Sequence, residues 1–133
     1  MNFLLDTHVW LWSQEMPEKL GPKAKAGLIG GDNILYISTV STLEIARLVD
    51  LGTIELSGTL TSWIQDSIGS LRVRTLDMSH EVAIQAYSLL PPFHKDPADR
   101  ILVGTAEVHD LTLLTADDRI LSYPHVQSKD ARQ

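Results

Sequence analysis

At 133 residues, 44% of them hydrophobic, the chain is long enough to bury a core as one domain spanning residues 1–133, and no apolar stretch approaches the roughly 20 residues of a membrane span. The absence of cysteine excludes disulfides and thiolate metal sites, and the N-terminal residues lack a secretory-signal pattern, so we expect a cytoplasmic protein without membrane contact. A formal charge of −6 would repel a polyanion at long range and argues against a simple, sequence-tolerant nucleic-acid coat.

The first predicted element is a short buried strand, Asn2–Leu5, and an aspartate stands directly after it. Thr7 and His8 follow, and then a helix-like segment, Val9–Trp12. Asp6 should therefore lie at the carboxyl edge of a sheet, which is where open α/β sheets bind ligands. A helix cap or a turn would also explain a single aspartate at this position.

The second predicted strand is Ile34–Ser38, and the helix after it is predicted over Thr42–Leu51, with Gly52 as its natural stop. Ser41 and Glu44 have the spacing of a capping box that opens this helix. Capping alone would account for the glutamate. A first-turn position after a strand nevertheless also lies at the carboxyl edge of the sheet.

Two amphipathic helices flank the third predicted strand, Arg72–Leu76, because apolar residues recur on either side of it every three or four positions. The first helix is marked by Leu60, Ile64, Ile68 and Leu71, and the second by Val82, Ala86, Leu89 and Leu90. A Pro-rich break, Leu90–Pro97, comes next. Another helix begins there, with Asp96 as N-cap, Pro97 at its first position and Asp99 in its first turn.

The fourth predicted strand is Leu111–Thr115, and Asp117 and Asp118 after it could form a turn into the segment Arg119–Leu121. No element is assigned to the tail from Ser122. Strands that alternate with helices in this way are typical of an α/β fold with a mostly parallel central sheet and helices on both faces.

Four carboxylates stand at four strand-to-helix junctions of this pattern, all at one edge of the sheet: Asp6, Glu44, Asp99 and Asp117. Packing them together without cations would cost mutual repulsion in a partly desolvated cleft. Oxygen ligands without cysteine or a histidine pair at metal spacing suit Mg²⁺ or Mn²⁺ rather than Zn²⁺. Two such ions would change the formal charge to about −2 and reverse the local field where a polyanion must bind.

Four segments of the chain resemble the motifs of bacterial PIN-domain proteins. They are Leu4–Trp12 (LLDTHVWLW), Ser38–Ala46 (STVSTLEIA), His94–Leu102 (HKDPADRIL) and Leu113–Asp117 (LLTAD). The third is the most specific, because it is similar to the family's His-Arg-Asp-Pro-Phe-Asp-Arg segment. The four matches run in the family's order over residues 4–118, which is most of the chain.

The resemblance implies a PIN-like three-layer α/β/α sandwich and a metal-dependent endoribonuclease, in particular a VapC-like toxin with a cognate antitoxin and a homodimeric state. By position, it makes Asp6 and Asp99 the principal ligands of Mg²⁺ or Mn²⁺. Glu44 and Asp117 would bind a second ion or orient the attacking water. The implied reaction is hydrolysis of an RNA phosphodiester by metal-activated water.

Residues near the four acids have supporting roles in this interpretation. Thr7 and Thr115 could orient the ligands through their hydroxyls, and Asp96 could assist them or act only as a cap. The basic residues available for phosphate contacts, or else simply solvated surface charges, are Arg47, Lys95, Arg100 and Arg119.

Other positions carry weaker expectations. His94 is the one histidine singled out for a function, and the tryptophans Trp10, Trp12 and Trp63 are expected in the core. The sequence departs from the family after Glu44. Relatives that share the Asp-Pro-x-Asp-Arg motif often have basic residues there, whereas this chain has Leu48, Asp50 and Thr53. Substrate grip or partner choice is therefore expected to differ.

Three other functions are alternatives for a sequence of this kind. A phosphatase with an aspartyl nucleophile usually needs a second aspartate where this chain has His8. A receiver domain needs a late lysine, yet none stands between Lys95 and Lys129. The strongest alternative is a catalytically inactive PIN-like module that binds RNA or a protein and keeps its acids as caps. The presence of all four acids disfavours it.

Overall fold

The structure, a computed structural model, describes all 133 residues and contains one sheet of five parallel strands. The strands are β1 (Asn2–Leu5), β2 (Ile34–Ser38), β3 (Arg74–Leu76), β4 (Thr112–Thr115) and β5 (Ser128–Asp130). Their order across the sheet is β3-β2-β1-β4-β5. The central strand β1 pairs with β2 through Phe3 opposite Leu35, and with β4 through Leu4 opposite Leu113. The carboxyl ends of β1 and β4 therefore lie side by side.

Seven α-helices connect the strands and cover the sheet. They are α1 (Thr7–Glu15), α2 (Pro22–Ile29), α3 (Thr39–Asp50), α4 (Leu60–Leu71), α5 (His80–Ala86), α6 (Pro97–His109) and α7 (Asp118–Leu121). One turn of 3₁₀-helix, Pro17–Lys19, joins α1 to α2. None of the helices has both the length and the apolar character that crossing a membrane requires.

Successive residues of β1 face opposite sides of the sheet, and this alternation gives the molecule two cores. Leu5 belongs to the larger core with Trp10 of α1, whereas Leu4 belongs to the other with Leu102 of α6, and all four side chains are fully buried. The indole N–H of Trp10 donates to Ser67 Oγ at 2.9 Å, so the one polar atom of this ring is satisfied. The three-layer α/β/α architecture predicted from the sequence is confirmed.

The predicted start of the third helix was wrong. α3 begins at Thr39 rather than Thr42, because Ser38 is its N-cap and the Ser38 hydroxyl accepts a hydrogen bond from the Val40 N–H at 3.1 Å. Ser41 is therefore not a cap, and Glu44 lies in the second turn instead of pairing with it in a capping box. The buried hydroxyl of Ser41 contacts Thr7 of α1 instead.

Several boundaries also differ from the prediction. The third strand starts at Arg74, because Arg72 adopts a left-handed conformation (φ 55°) as the C-cap of α4. α5 ends at Ala86, before Leu89 and Leu90, and the Arg100 guanidinium donates to its last carbonyl at 3.2 Å. The helix α2 and the strand β5 were not predicted from the sequence.

Candidate metal centre

The carboxyl ends of the central strands open into a cleft of about 320 Å³. All four acids singled out in the sequence line it: Asp6, Glu44, Asp99 and Asp117. They come from the β1–α1 junction, from α3, from α6 and from the β4–α7 junction, so four separate elements deliver one carboxylate each. A larger cleft of about 730 Å³ lies beside α2 and the end of α4, and no acidic residue lines it.

Asp6 is the most buried of the four, with 7% of its surface exposed. It is the N-cap of α1, and its Oδ1 accepts the Thr7 N–H at 2.7 Å. Its Oδ2 accepts the Thr115 hydroxyl at 2.6 Å, and Thr115 Oγ1 in turn accepts the Asp117 N–H at 3.0 Å. Burial raises the pKa of Asp6 despite these hydrogen bonds. The same residue is therefore a helix cap and a charged group fixed at the cleft.

Glu44 is half-buried and is held from the β1 side of the cleft. The Thr7 hydroxyl donates to Glu44 Oε1 and also lies 2.8 Å from Ser41 Oγ. A hydroxyl has only one proton, so Ser41 completes the chain by donating to Thr7 while Thr7 donates to the carboxylate. Burial raises the pKa of Glu44, and the charges of Asp6 and Asp99 add to this shift.

Asp99 lies in the first turn of α6, where the Asp96 side chain caps the helix by accepting the Asp99 N–H at 3.0 Å. Its Oδ2 is 2.7 Å from His94 Nε2. Burial raises the pKa of Asp99, and the neighbouring charges of Asp96 and Asp117 raise it further, against the opposing hydrogen bond from His94.

Asp117 is the N-cap of α7 and is paired with a cation. Its Oδ1 accepts the Arg119 N–H at 2.9 Å and its Oδ2 accepts the Arg119 guanidinium at 3.0 Å. Partial burial acts to raise the pKa of Asp117, but the hydrogen bonds and charge of Arg119 outweigh it, and the net shift is downward. The same guanidinium reaches Asp99 Oδ2 at 3.4 Å.

A family model described as the PIN domain matches residues 3–126. The chain belongs to the PIN-domain family. It is 34% identical over 122 residues to Ribonuclease VapC22 of Mycobacterium tuberculosis (strain ATCC 25618 / H37Rv), with 92% of each chain covered. Two solved structures share the fold at low identity. VapBC2 of Rickettsia felis, bound to promoter DNA, has a TM-score of 0.68 at 14% identity, covering 98% of each chain. A toxin–antitoxin complex of Klebsiella pneumoniae has a TM-score of 0.63 at 18% identity, covering 92% of each.

The acids of this PIN domain fit a divalent cation. Each of His94, Asp99 and Asp117 offers one ligand atom within 4.8 Å of the others, and the carboxylates of Asp6 and Glu44 line the same cleft but lie outside this close group. Oxygen-rich donor sets of this kind suit hard cations. The buried carboxylate of Asp6 has hydroxyl and amide partners but no cationic one, so its charge lacks direct compensation from the chain.

The structure places the supporting residues in different ways. Thr7 and Thr115 contact the acids directly, and Asp96 lines the cleft while capping α6. Arg47 is exposed on α3 and does not line the cleft. Arg100 points away from it and donates to three backbone carbonyls, those of Ala86, Phe93 and His94.

Two features of the PIN-domain cleft were missed in the sequence. Ser41 supports Thr7, but the capping box predicted from the sequence gave its hydroxyl the role of a helix cap. A helix that starts at Thr39 instead places Ser41 inside the helix, one turn before Glu44. Trp12, expected in the core, is half-buried and lines the cleft with His8. Trp10 and Trp63 are buried as expected.

Proposed function

We propose that this PIN domain is a metal-dependent endoribonuclease and the toxin of a bacterial toxin–antitoxin pair. The observation that carries the proposal is the meeting of four carboxylates from four separate elements in one open cleft. It is supported by the 34% identity, over almost the whole chain, to a protein named as a ribonuclease.

Asp6 and Asp99 are assigned as the principal ligands of Mg²⁺ or Mn²⁺. Asp6 is fixed by two hydrogen bonds, and Asp99 faces it from the first turn of α6. Glu44 and Asp117 bind a second ion or orient the attacking water. When bound, such ions polarise a phosphodiester and promote ionisation of the water that attacks it.

The chain itself supplies orientation and access. Thr115 holds the Asp6 carboxylate and Thr7 holds that of Glu44, so both carboxylates are already oriented before the reaction begins. The cleft shares Asp96 and Arg119 with a neighbouring surface depression that His94 also lines, and we assign this side as the approach of an RNA backbone to the acids. A phosphodiester placed there is cut without a nucleophile from the protein.

The partners belong to the same proposal. Because structures that share this fold are VapBC and toxin–antitoxin complexes, we assign this chain a cognate antitoxin. We also assign it a homodimeric state and a cytoplasmic location. Size-exclusion chromatography with light scattering measures the dimer directly, and co-expression with the protein encoded by the adjacent gene tests the antitoxin.

The proposed activity is tested on purified protein free of antitoxin, incubated with a mixed pool of structured RNAs. We expect cleavage with Mg²⁺ or Mn²⁺, no cleavage with EDTA, and at least about a thousand-fold loss of rate in Asp6→Asn, because a ligand of the reacting ions is lost. Asp118→Asn is the matched control, since this exposed aspartate follows Asp117 directly but pairs with Arg132 outside the cleft.

Two results would contradict the proposal in different ways. Equal cleavage by Asp6→Asn and the unchanged protein would show that the site is wrong. No cleavage of any RNA, together with no detectable Mn²⁺ binding by calorimetry, would favour the inactive binding module instead.

A further inference from the structure

Arg119 is the one lysine or arginine side chain that lines the acidic cleft. Its guanidinium contacts both oxygens of Asp117, at 3.2 and 3.0 Å, and Asp99 Oδ2 at 3.4 Å. It thus bridges two of the four acids assigned above as metal ligands. This guanidinium and a divalent cation bound by the same oxygens cannot occupy that space together at low energy, because their positive charges repel each other.

The Arg119 guanidinium can turn away from Asp99 and Asp117. Its side chain is 60% exposed, and solvent-exposed ion pairs of this kind are weakly held. Its backbone N–H to Asp117 Oδ1 stays in place when the guanidinium turns, so α7 keeps its cap. A guanidinium released at the mouth of the cleft is suited to a phosphate, which it can bind through two parallel hydrogen bonds.

The same local motif occurs elsewhere in the chain and serves as an internal comparison. Arg132 follows Asp130 at the same spacing and makes the same three contacts to it: backbone N–H at 2.9 Å, Nε at 2.9 Å and a terminal guanidinium nitrogen at 3.0 Å. Arg132 lies outside the cleft, and its remaining partner is the exposed Asp118. The Asp-x-Arg turn is therefore a structural unit by itself, and the two copies differ in their second partner, which lies in the cleft for Arg119 (Asp99) and outside it for Arg132 (Asp118).

We infer that Arg119 exchanges partners during the reaction: it competes with the divalent cation for Asp99 and Asp117, and once displaced it binds a phosphate of the RNA. The exchange keeps a positive charge at the cleft in both situations. It also supplies a phosphate contact within the cleft, which Arg47 of α3 does not line. The first half of this inference rests on the proposed metal ligands, and the second half rests also on the proposed nuclease activity.

The competition is tested by calorimetric titration of EDTA-treated, dialysed protein with Mn²⁺. We expect Arg119→Ala to bind Mn²⁺ about two- to five-fold more tightly, the range expected when an exposed ion pair is removed. The matched control Arg132→Ala should leave the affinity unchanged. Thermal unfolding of both variants verifies that they fold, and Arg119→Lys, which keeps the charge but loses the planar guanidinium that fits both oxygens of Asp117, provides a second test of the same direction.

The phosphate contact is tested by RNA cleavage at saturating Mn²⁺, where competition no longer matters. We expect Arg119→Ala to raise KM about five- to tenfold with kcat changed less than two-fold, which is the pattern for a lost binding contact. Because one phosphate contact is removed, the salt dependence of log KM should fall by about 0.7. Arg132→Ala should show neither effect.

The outcomes separate the two halves. Tighter Mn²⁺ binding with a higher KM supports the exchange. Unchanged or weaker Mn²⁺ binding by Arg119→Ala overturns the competition, and weaker binding would mean that Arg119 positions the ligands. An unchanged KM overturns the phosphate contact. If the unchanged protein cleaves no RNA, the proposed function fails and the phosphate contact with it, while the Mn²⁺ titration still decides the competition.

Discussion

The two sides of the acidic cleft are built from different chemistry. The inner pair, Asp6 and Glu44, is held by hydroxyls and a backbone amide. The outer pair, Asp99 and Asp117, is held by side chains that carry or can carry a positive charge, His94 and Arg119. Burial raises the pKa of both inner carboxylates and of Asp99, whereas Arg119 lowers that of Asp117.

This difference separates a fixed side from an adjustable one. Neutral partners orient the inner carboxylates without neutralising them, so charge compensation there has to come from a bound cation or from a proton. The outer carboxylates already have a cationic partner that can be exchanged. In such a site, the inner carboxylates would fix the position of a bound cation, and movement of Arg119 on the outer side would adjust the net charge of the cleft.

The largest effects are expected from removing one charge on each side. We expect Asp6→Asn to weaken Mn²⁺ binding at least about 100-fold, since loss of an indirect support for a ligand already costs 10–100-fold. Asp117→Asn should cost only about tenfold, because it also frees Arg119 from the cation's neighbourhood. Calorimetry on the two variants measures the difference, and Asp118→Asn is the control.

The same two variants should also differ in the stability of the EDTA-treated protein. Asp6→Asn removes an uncompensated buried charge, so its free energy of unfolding should be equal or higher by up to about 1 kcal/mol. Asp117→Asn keeps a good N-cap but loses an exposed ion pair, and its unfolding free energy should be equal or lower by up to about 1 kcal/mol. Equal losses of affinity and stability in both variants would remove the distinction between the two sides.

The pH dependence of Mn²⁺ binding gives a smaller effect that sharpens the comparison. The pKa values of Asp6, Glu44 and Asp99 are raised, so protons compete with the cation at these groups at higher pH than at ordinary carboxyls. We expect the affinity to fall as the pH is lowered, and to begin falling at a higher pH than for a site made of ordinary carboxyls; a profile like that of ordinary carboxyls would contradict the raised pKa values.

Stability should respond to pH with opposite signs in the two forms of the protein. Without metal, a carboxylate whose pKa is raised on folding takes up protons in the folded state, so the free energy of unfolding should rise as the pH falls through those raised values. With saturating Mn²⁺, the bound form needs the deprotonated groups, and stability should fall over the same range. Chemical denaturation at several pH values, with and without Mn²⁺, measures both slopes.

The sequence predicted the parts of this fold that have strong hydrophobic periodicity. Four of the five strands and the helices α4 and α5 were found because their apolar residues recur at fixed spacing, whereas the start of α6 was found from its cap residues Asp96 and Pro97. β5 was missed because it has three residues, Ser128–Asp130, and none of them is apolar. α2 was missed because Gly27 and two lysines interrupt its short apolar stripe. In both cases tertiary pairing supplies what local pattern does not.

The sequence predicted the acids of the cleft and two of their supports, because Thr7 and Thr115 do contact Glu44 and Asp6 through their hydroxyls. Four carboxylates at four junctions indicate a shared edge because parallel strands end together. The support that Ser41 gives to Thr7 was missed, because it depends on a contact between residues far apart in sequence. The Asp-x-Arg turn of Arg119 is visible in the sequence, but its reach to Asp99 is not.

The smallest predicted effect distinguishes a residue that caps a helix, Ser38, from one that supports the site, Ser41. The capping box predicted from the sequence had given the capping role to Ser41. Ser38 caps α3, so Ser38→Ala should lower the free energy of unfolding by about 1 kcal/mol and leave Mn²⁺ affinity within about two-fold. Ser41→Ala removes the hydroxyl that orients Thr7 toward Glu44, so it should weaken Mn²⁺ binding a few-fold, beyond any loss of stability. If Ser41→Ala left Mn²⁺ binding unchanged, the inner pair would not depend on this hydroxyl chain, and its fixed geometry would have to come from Thr7 and the backbone alone.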